Sequence, residues 1–172
     1  EVDKSFHPRY DALGKAYTYV FNLGPLNPFS ARYSCQITYN MNVDSLKKAV
    51  KYLEGTHDFS SFACEGGNKV PNKIRTIYRI DVQEFGPYLC VTFIGSGFLY
   101  KMVRSIVGTL TKVSSGKLFP EDIKTILDAK DRDAAGETAP GCGLFLMKVF
   151  YDGEDPAAFK LERLPFEYPM TD

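Results

Sequence analysis

Residues 74–113 read IRTIYRIDVQEFGPYLCVTFIGSGFLYKMVRSIVGTLTKV, and they carry the strongest indication of the fold in the chain. Two β-rich runs, 74–84 and 88–95, lie on either side of Gly86-Pro87. Because this pair of residues favours a tight turn, the pattern predicts an antiparallel hairpin. The apolar residues that follow recur at helical spacing, so we expect the hairpin to be covered by a helix.

The helix predicted after the hairpin covers residues 98–113, with Ser96 as a possible cap. Its apolar side chains fill a broad face of the helix, as expected of a helix that packs on a sheet. Gly108 lies inside it and would cost about 1 kcal/mol relative to Ala. We therefore expect Gly108 to pack closely against a neighbouring segment.

Further elements are predicted on both sides of this stretch. Asp44 would cap a helix that Gly55 ends, and a proline, Pro120, would start another. The predicted ranges are strands 15–22, 33–39 and 144–151, helices 45–54 and 120–129, and a turn or short helix at 57–62. This order predicts an α+β domain with a mainly antiparallel sheet and helices packed on one face.

The chain has the size and composition of one globular domain. It has 172 residues, of which 44% are hydrophobic and 24% charged, values that exclude a disordered or collagen-like chain. We expect one domain over 1–172, with an irregular tail at 153–172 because of its three prolines. The chain opens Glu1-Val2-Asp3 without Met, as a piece of a longer protein would.

Cysteine usage predicts a reduced, intracellular protein without a metal site. The four cysteines are far apart, none in C-x-x-C spacing, and only two histidines could complete a zinc site. They are Cys35, Cys64, Cys90 and Cys142.

No apolar run approaches the ~20 residues of a membrane span, and no signal peptide is visible at the start, so no membrane association is expected.

The net charge of zero conceals an uneven distribution. Residues 1–119 carry 15 basic and 9 acidic residues, whereas residues 120–172 carry 6 and 12. Within 69–117 there are eight basic and two acidic residues. Two interpretations stay open here: a surface for a polyanion, or a chance cluster of solvated charges. The candidate RNA-binding residues are Lys69, Lys73, Arg75 and Lys101.

Three local features could carry chemistry. Tyr17 and Tyr19 point to the same face of a strand, where they are either core aromatics or a ring on which a base stacks. Arg104 falls outside the apolar stripe of its helix, so it is either solvated or aimed at a carboxylate or phosphate. The acidic loop 131–136 is either a helix end with a turn or the site of a catalytic carboxylate.

Five segments in one order carry a family resemblance. They are Ser5-Phe6-His7 with KAYTY at 15–19; LEGTHDFSSF at 53–62; RTI at 75–77; GFLYKMVRSIVG at 97–108; and AP at 139–140 with GLFL at 143–146. Together they resemble the C-terminal half of the TruA-type tRNA pseudouridine synthases over about residues 5–151. One such segment would be weak evidence, but five in order are highly specific.

The resemblance implies one lobe of a two-lobed enzyme that isomerises uridine to pseudouridine in the anticodon stem-loop region of tRNA. It implies that no metal or organic cofactor is needed and that the enzyme is a homodimer with tRNA as its partner. It also implies a role for three residues. Tyr17 would stack on the target uracil, Arg104 would pair with the catalytic aspartate, and Leu144 would line the uracil pocket.

One departure from the family pattern concerns the nucleophile. The family's catalytic aspartate lies in a G-R-T-D-A-G-V-H-A motif upstream of the strand at 15–22, and this chain starts too late to contain it. Asp133 lies in a similar Arg-Asp-Ala-Ala-Gly run but at the wrong place, so we reject it as nucleophile. We therefore expect the chain alone to be inactive. Two alternatives stay open. One is a non-catalytic RNA-binding module on a related scaffold, and the other is an unrelated small α+β enzyme or interaction domain in which Tyr17 is a core residue and Arg104 is solvated.

Overall fold

The predicted hairpin forms the middle of the sheet. A computed structural model describes residues 6–8, 11–66 and 70–167. Its strands are β1 (Gly14–Asn22), β2 (Cys35–Gln36), β3 (Gly55–Asp58), β4 (Ile74–Phe85), β5 (Tyr88–Gly95) and β6 (Leu144–Phe150). Its helices are α1 (Val43–Lys51), α2 (Met102–Ser114) and α3 (Asp122–Ala129). Short 3-10 turns cover Ser60–Phe62, Arg132–Ala134, Gly141–Gly143 and Pro156–Ala158.

The sheet is antiparallel except at one short pair. Its strand order is β2-β1-β5-β4-β3, with β6 also pairing with β1. Only β2 runs parallel to β1, and it is two residues long where the sequence predicted strand over 33–39. Every residue of β5 is buried, as expected for a strand with neighbours on both edges and cover on both faces. The predicted α+β class and mainly antiparallel sheet are confirmed.

All three helices pack on one face of the sheet. Their buried residues join the apolar residues on the inner face of β1, β4 and β5 in one core cluster. Helix α2 begins at Met102 and not at residue 98, because Lys101 has a positive φ of 56° that interrupts the helix. Ser96 does not cap it; its hydroxyl instead bonds to the backbone of Thr76 on β4.

The start and end of α1 also differ from the prediction. Asn42, not Asp44, caps the helix, because its side chain accepts a hydrogen bond from the Ser45 amide at 2.9 Å. The helix ends at Lys51, and Gly55 (φ 103°) begins β3. This four-residue strand was missed because it is too short to show alternation and depends on pairing with β4.

The described part of the predicted tail covers the second face of the sheet, and residues 168–172 lie outside the described residues. Residues 153–167 contain one 3-10 turn and no strand or longer helix, yet Leu161 and Leu164 are buried against Val20 and Cys90. Arg79 on β4 secures this segment, since its guanidinium donates to the carbonyls of two residues in it, at 157 and 159. A tail without regular structure thus forms part of the core.

Candidate active site

Tyr17 lies at the margin of the main core. Its neighbours across the sheet are Phe93 on β5 and Leu146 on β6, and its ring meets Phe98 edge-on with centroids 5.4 Å apart. The residue is half-buried, and burial raises the pKa of its phenol. The ring is therefore fixed by packing on one side while part of it stays accessible, a geometry compatible with both interpretations left open by the sequence.

Tyr19, on the same face of β1, has no exposed surface. Its ring packs against Phe21, with centroids 5.0 Å apart, and its hydroxyl donates to the carbonyl of Pro140 at 2.8 Å. Of the two tyrosines on this face, only Tyr17 can meet a ligand.

Arg104 is held in place and is not freely solvated. It is half-buried on the first turn of α2, and its Nε donates to the carbonyl of Ala139 at 2.7 Å. The Ala139 amide in turn donates to the Arg104 carbonyl at 3.0 Å. No carboxylate of the described residues forms an ion pair with this guanidinium. Its two terminal nitrogens make no hydrogen bond to a described residue, so they can receive an anion.

Helix α2 approaches the backbone of the 137–139 segment closely. A Cβ on Gly108 would lie 1.7 Å from the Glu137 carbonyl oxygen, so only glycine fits. The Gly136 amide donates to the Thr109 hydroxyl at 2.8 Å and fixes the same approach. The close packing predicted for Gly108 is confirmed, and its neighbour is the segment that holds Arg104.

Leu144 begins β6 and lies opposite Tyr19 across the sheet. It is half-buried and packs against the main core. The segment 139–144 runs from the Arg104 side chain to β6, which pairs with the Tyr17 strand. Arg104 therefore lies at one end of this segment and Leu144 at the other, while Tyr17 lies opposite Leu146, two residues further along β6. A fixed cation, an aromatic ring and an apolar side chain are what a flipped base and a carboxylate require.

Asp133 is an exposed residue of a 3-10 turn. Its amide donates to the side chain of Asp131, which caps the turn. This arrangement agrees with the interpretation of the loop as a helix end with a turn. The adjacent Arg132 donates to the Gly136 carbonyl at 2.9 Å and to the Thr138 hydroxyl at 3.1 Å. The loop thus holds the backbone that leads to Ala139.

Sequence reasoning missed a polar cluster around Cys64. Its Sγ lies 3.5 Å from the Ser105 hydroxyl and 3.6 Å from that of Thr138. Burial opposes ionisation, but hydrogen bonds from Ser105, Arg132 and Thr138 outweigh it and lower the pKa of Cys64 to about 7. No local pattern could have revealed this cluster, because its members come from three separate segments.

Some of the candidate RNA-binding side chains are exposed, and others are engaged in contacts within the chain. Lys73 is exposed, whereas the half-buried Arg75 donates to the carbonyls of Asn72 and Ile74. Burial lowers the pKa of Arg75. The amino group of Lys101 lies 5.3 Å from the centre of the Tyr100 ring. Lys69 lies outside the described residues.

The described residues contain neither a candidate metal site nor a helix that could span a membrane. In the described ranges, no group of three or more His, Cys, Asp or Glu side chains could hold a metal ion. Within the same ranges, none of the helices has both the length and the apolar character to cross a membrane.

Comparison with known proteins points to one family. Residues 49–152 match the family model described as tRNA pseudouridine synthase. Among the relatives, the tRNA pseudouridine synthase A of Bacillus subtilis (strain 168) is 46% identical over 152 residues, which are 88% of this chain and 61% of the relative. That of Streptococcus agalactiae serotype Ia is 43% identical over 158 residues, 90% of this chain and 61% of the relative.

The matches cover most of this chain but not most of each relative. The Bacillus pumilus tRNA pseudouridine synthase A is 45% identical over 153 residues, which are 88% of this chain and 62% of that protein. The chain thus spans about three-fifths of the length of the relatives it matches. The family model covers well over half of the chain, residues 49–152 of 172, and includes β4, β5, α2 and the 139–144 segment. The chain therefore belongs to the tRNA pseudouridine synthase family.

Proposed function

We propose that this chain forms the C-terminal part of a tRNA pseudouridine synthase that converts uridine to pseudouridine in the anticodon stem-loop region of tRNA. The main support for this proposal is the position of the 139–144 segment. It holds the Arg104 guanidinium at one end and leads at the other into β6, which pairs with the Tyr17 strand. The chain spans about three-fifths of the length of its relatives. In this proposal the catalytic aspartate comes from a part of the enzyme outside this chain.

In this proposal Arg104 is the partner of that aspartate. A carboxylate in a closed cleft needs a cation to stay ionised, and a guanidinium can bind it through two nitrogens. The Ala139 carbonyl occupies only Nε of Arg104, so the two terminal nitrogens remain for the carboxylate. The ionised aspartate serves as the nucleophile while the bond between uracil N1 and the ribose breaks, the ring turns, and a ring carbon bonds to the ribose in place of N1. That carbon loses its proton and N1 gains one, so the product is an isomer of uridine and nothing leaves.

Tyr17 and Leu144 form the base pocket. Tyr17 offers a half-buried ring, kept in place by its edge-on contact with Phe98, on which the uracil stacks. Burial raises the pKa of Tyr17, so its phenol stays protonated at neutral pH and can donate a hydrogen bond to the base. The half-buried Leu144 supplies an apolar wall.

The tRNA and a second subunit complete the proposal. Lys73 and Lys101 are exposed and make no ion pair with any described residue, so their charges are available to phosphates. We also include the half-buried Arg75 among the proposed RNA-binding residues, together with Lys69, which lies outside the described residues. We include a homodimer with the tRNA running across both subunits, and an intracellular location.

The decisive experiment is Arg104→Ala in the full-length enzyme, with pseudouridine formation measured on an unmodified tRNA transcript. We expect turnover to be abolished while tRNA affinity changes only modestly. The matched control is Arg163→Ala, because Arg163 is exposed and makes no ion pair with a described residue. Full-speed turnover by the Arg104 variant would contradict the assigned role.

A second experiment tests the missing aspartate. Residues 1–172 alone should form no pseudouridine, and a protein that restores the upstream half should do so. In that active protein Asp133→Ala should leave the rate unchanged. Modification of tRNA by residues 1–172 that Asp133→Ala abolishes would reverse the proposal.

A further inference from the structure

Tyr19 is a buried tyrosine that the proposed mechanism does not use. It lies two residues from Tyr17 on β1, and its hydroxyl reaches out of the main core to the 139–141 segment. Core packing uses the ring of Tyr19, which meets Phe21, whereas the hydroxyl makes a separate polar contact. The hydroxyl therefore needs an explanation of its own.

Two consecutive carbonyls link Tyr19 to Arg104. The Tyr19 hydroxyl donates to the Pro140 carbonyl at 2.8 Å, and Arg104 Nε donates to the preceding carbonyl, that of Ala139, at 2.7 Å. The Ala139 amide returns a bond to the Arg104 carbonyl at 3.0 Å. The peptide unit between these two carbonyls is thus bound from both sides.

The segment needs such an anchor because much of it is exposed and irregular. Pro140 and Gly141 are exposed, and a Cβ on Gly141 would lie 3.5 Å from a terminal nitrogen of Arg104. Further along, a Cβ on Gly143 would lie 3.0 Å from the Tyr19 ring. Tyr19 therefore contacts the segment at two points, one on each side of the residue that faces the guanidinium.

From this geometry we propose that Tyr19 is a positioning residue for Arg104, which it holds through the backbone of Ala139 and Pro140. The inference rests on the proposed function, since Arg104 needs fixed aim only if it receives a carboxylate. A displacement of about 1 Å at a catalytic group can cost about 100-fold in rate.

The state of the phenol fits this role. Burial, reinforced by the nearby thiols of Cys35 and Cys142, raises the pKa of Tyr19 well above its ordinary value, and the Arg104 charge opposes this only in part. The group is protonated at any pH at which the enzyme works, so it is a permanent donor.

The test is Tyr19→Phe in the full-length enzyme, which keeps the ring and removes only the hydroxyl. The matched control is Tyr88→Phe. Tyr88 is also buried and loses a bond of equal length, 2.8 Å to the Ser30 hydroxyl, but its cluster covers the opposite face of the sheet. We expect kcat of Tyr19→Phe to fall by about tenfold or more, with KM for tRNA within about twofold. Tyr88→Phe should keep its kcat, and both should lose similar thermal stability.

A double-mutant cycle makes the test specific. In an Arg104→Lys background, Tyr19→Phe should cost little more, because lysine has no Nε held by Ala139. An equal loss of kcat in both backgrounds would overturn the inference, as would equal kcat for the two tyrosine variants. Failure of Tyr19→Phe alone to fold would also overturn it, by showing that Tyr19 serves folding. If the unaltered full-length enzyme forms no pseudouridine, the proposed function fails and the inference falls with it.

Discussion

Gly108→Ala is the substitution whose consequence the structure defines most sharply. Helix propensity alone favours alanine by about 1 kcal/mol. The new Cβ, however, would lie 1.7 Å from the Glu137 carbonyl oxygen, where ordinary contact begins near 3.4 Å. The backbone at 137–139 would therefore have to withdraw by about 1.7 Å, since the obstacle is a carbonyl and not a flexible side chain.

The cost of that withdrawal exceeds the gain in helix propensity. It strains the bond from the Gly136 amide to Thr109 and that from the Ala139 amide to Arg104. Each such bond contributes about 0.5–1.5 kcal/mol, and overpacking a core costs about 1–3 kcal/mol. With the propensity gain subtracted, we expect Gly108→Ala to lower the free energy of unfolding by about 1–5 kcal/mol.

Urea unfolding of the 172-residue chain, followed by circular dichroism, measures this difference. Gly97→Ala is the matched control, because a Cβ there meets nothing within 4 Å and should change stability by less than about 0.5 kcal/mol. If Gly108→Ala proves as stable as wild type or more so, helix propensity dominates. The close approach of α2 to the 137–139 backbone would then be refuted.

Three further predictions concern other parts of the chain. In single-cysteine variants, the rate of Cys64 alkylation should rise with pH around a midpoint of about 7. Burial raises the pKa of Cys90 to about 12, so Cys90 should stay unreactive in the native protein. A Cys64 midpoint above 8 would refute the polar cluster. The hydrogen bond from the Ser60 hydroxyl lowers the pKa of Asp58, although burial opposes this in part. Asp58→Asn should therefore lower the free energy of unfolding, with its full effect at pH values above 3.8, the pKa of this group in the unfolded chain. That difference in unfolding free energy should fade as pH falls through the native pKa, and a difference independent of pH would contradict it. Arg79→Met should expose the C-terminal segment to proteolysis and lower the free energy of unfolding by about 1.5–3 kcal/mol. The control Lys47→Met loses only an exposed ion pair and should do neither. Equal protease resistance of the two variants would exclude the anchoring role of Arg79.

Most of the fold could be predicted from local patterns. The hairpin 74–95 and the strands at 15–22 and 144–151 have periodicities that act within the segment itself, and the structure has them to within a residue or two. The errors occur where local rules compete. Lys101 adopts a left-handed conformation that shortens α2, and β3 exists because β4 offers an edge.

The candidate site was predictable in its residues but not in its contacts. The helical wheel separates Arg104 from the apolar stripe, but it cannot show that Ala139, 35 residues away, binds its Nε. Tyr17 and Tyr19 are indistinguishable in the sequence, since both lie on one face of β1. Only the tertiary structure separates them: Tyr19 lies against the 139–144 segment and is completely buried, whereas Tyr17 is half-buried.

Four properties could be inferred without the structure: the order of most elements, the class of the fold, the close approach at Gly108 and the family. These follow from periodicity, from the missing side chain of glycine and from motifs that lie in one order along the chain. The tertiary structure alone decided that Arg104 is held, that Tyr19 reaches Pro140 and that Cys64 meets Ser105 and Thr138. Such contacts join residues up to 121 positions apart, and their free energy exists only once the sheet and α2 have brought distant segments together.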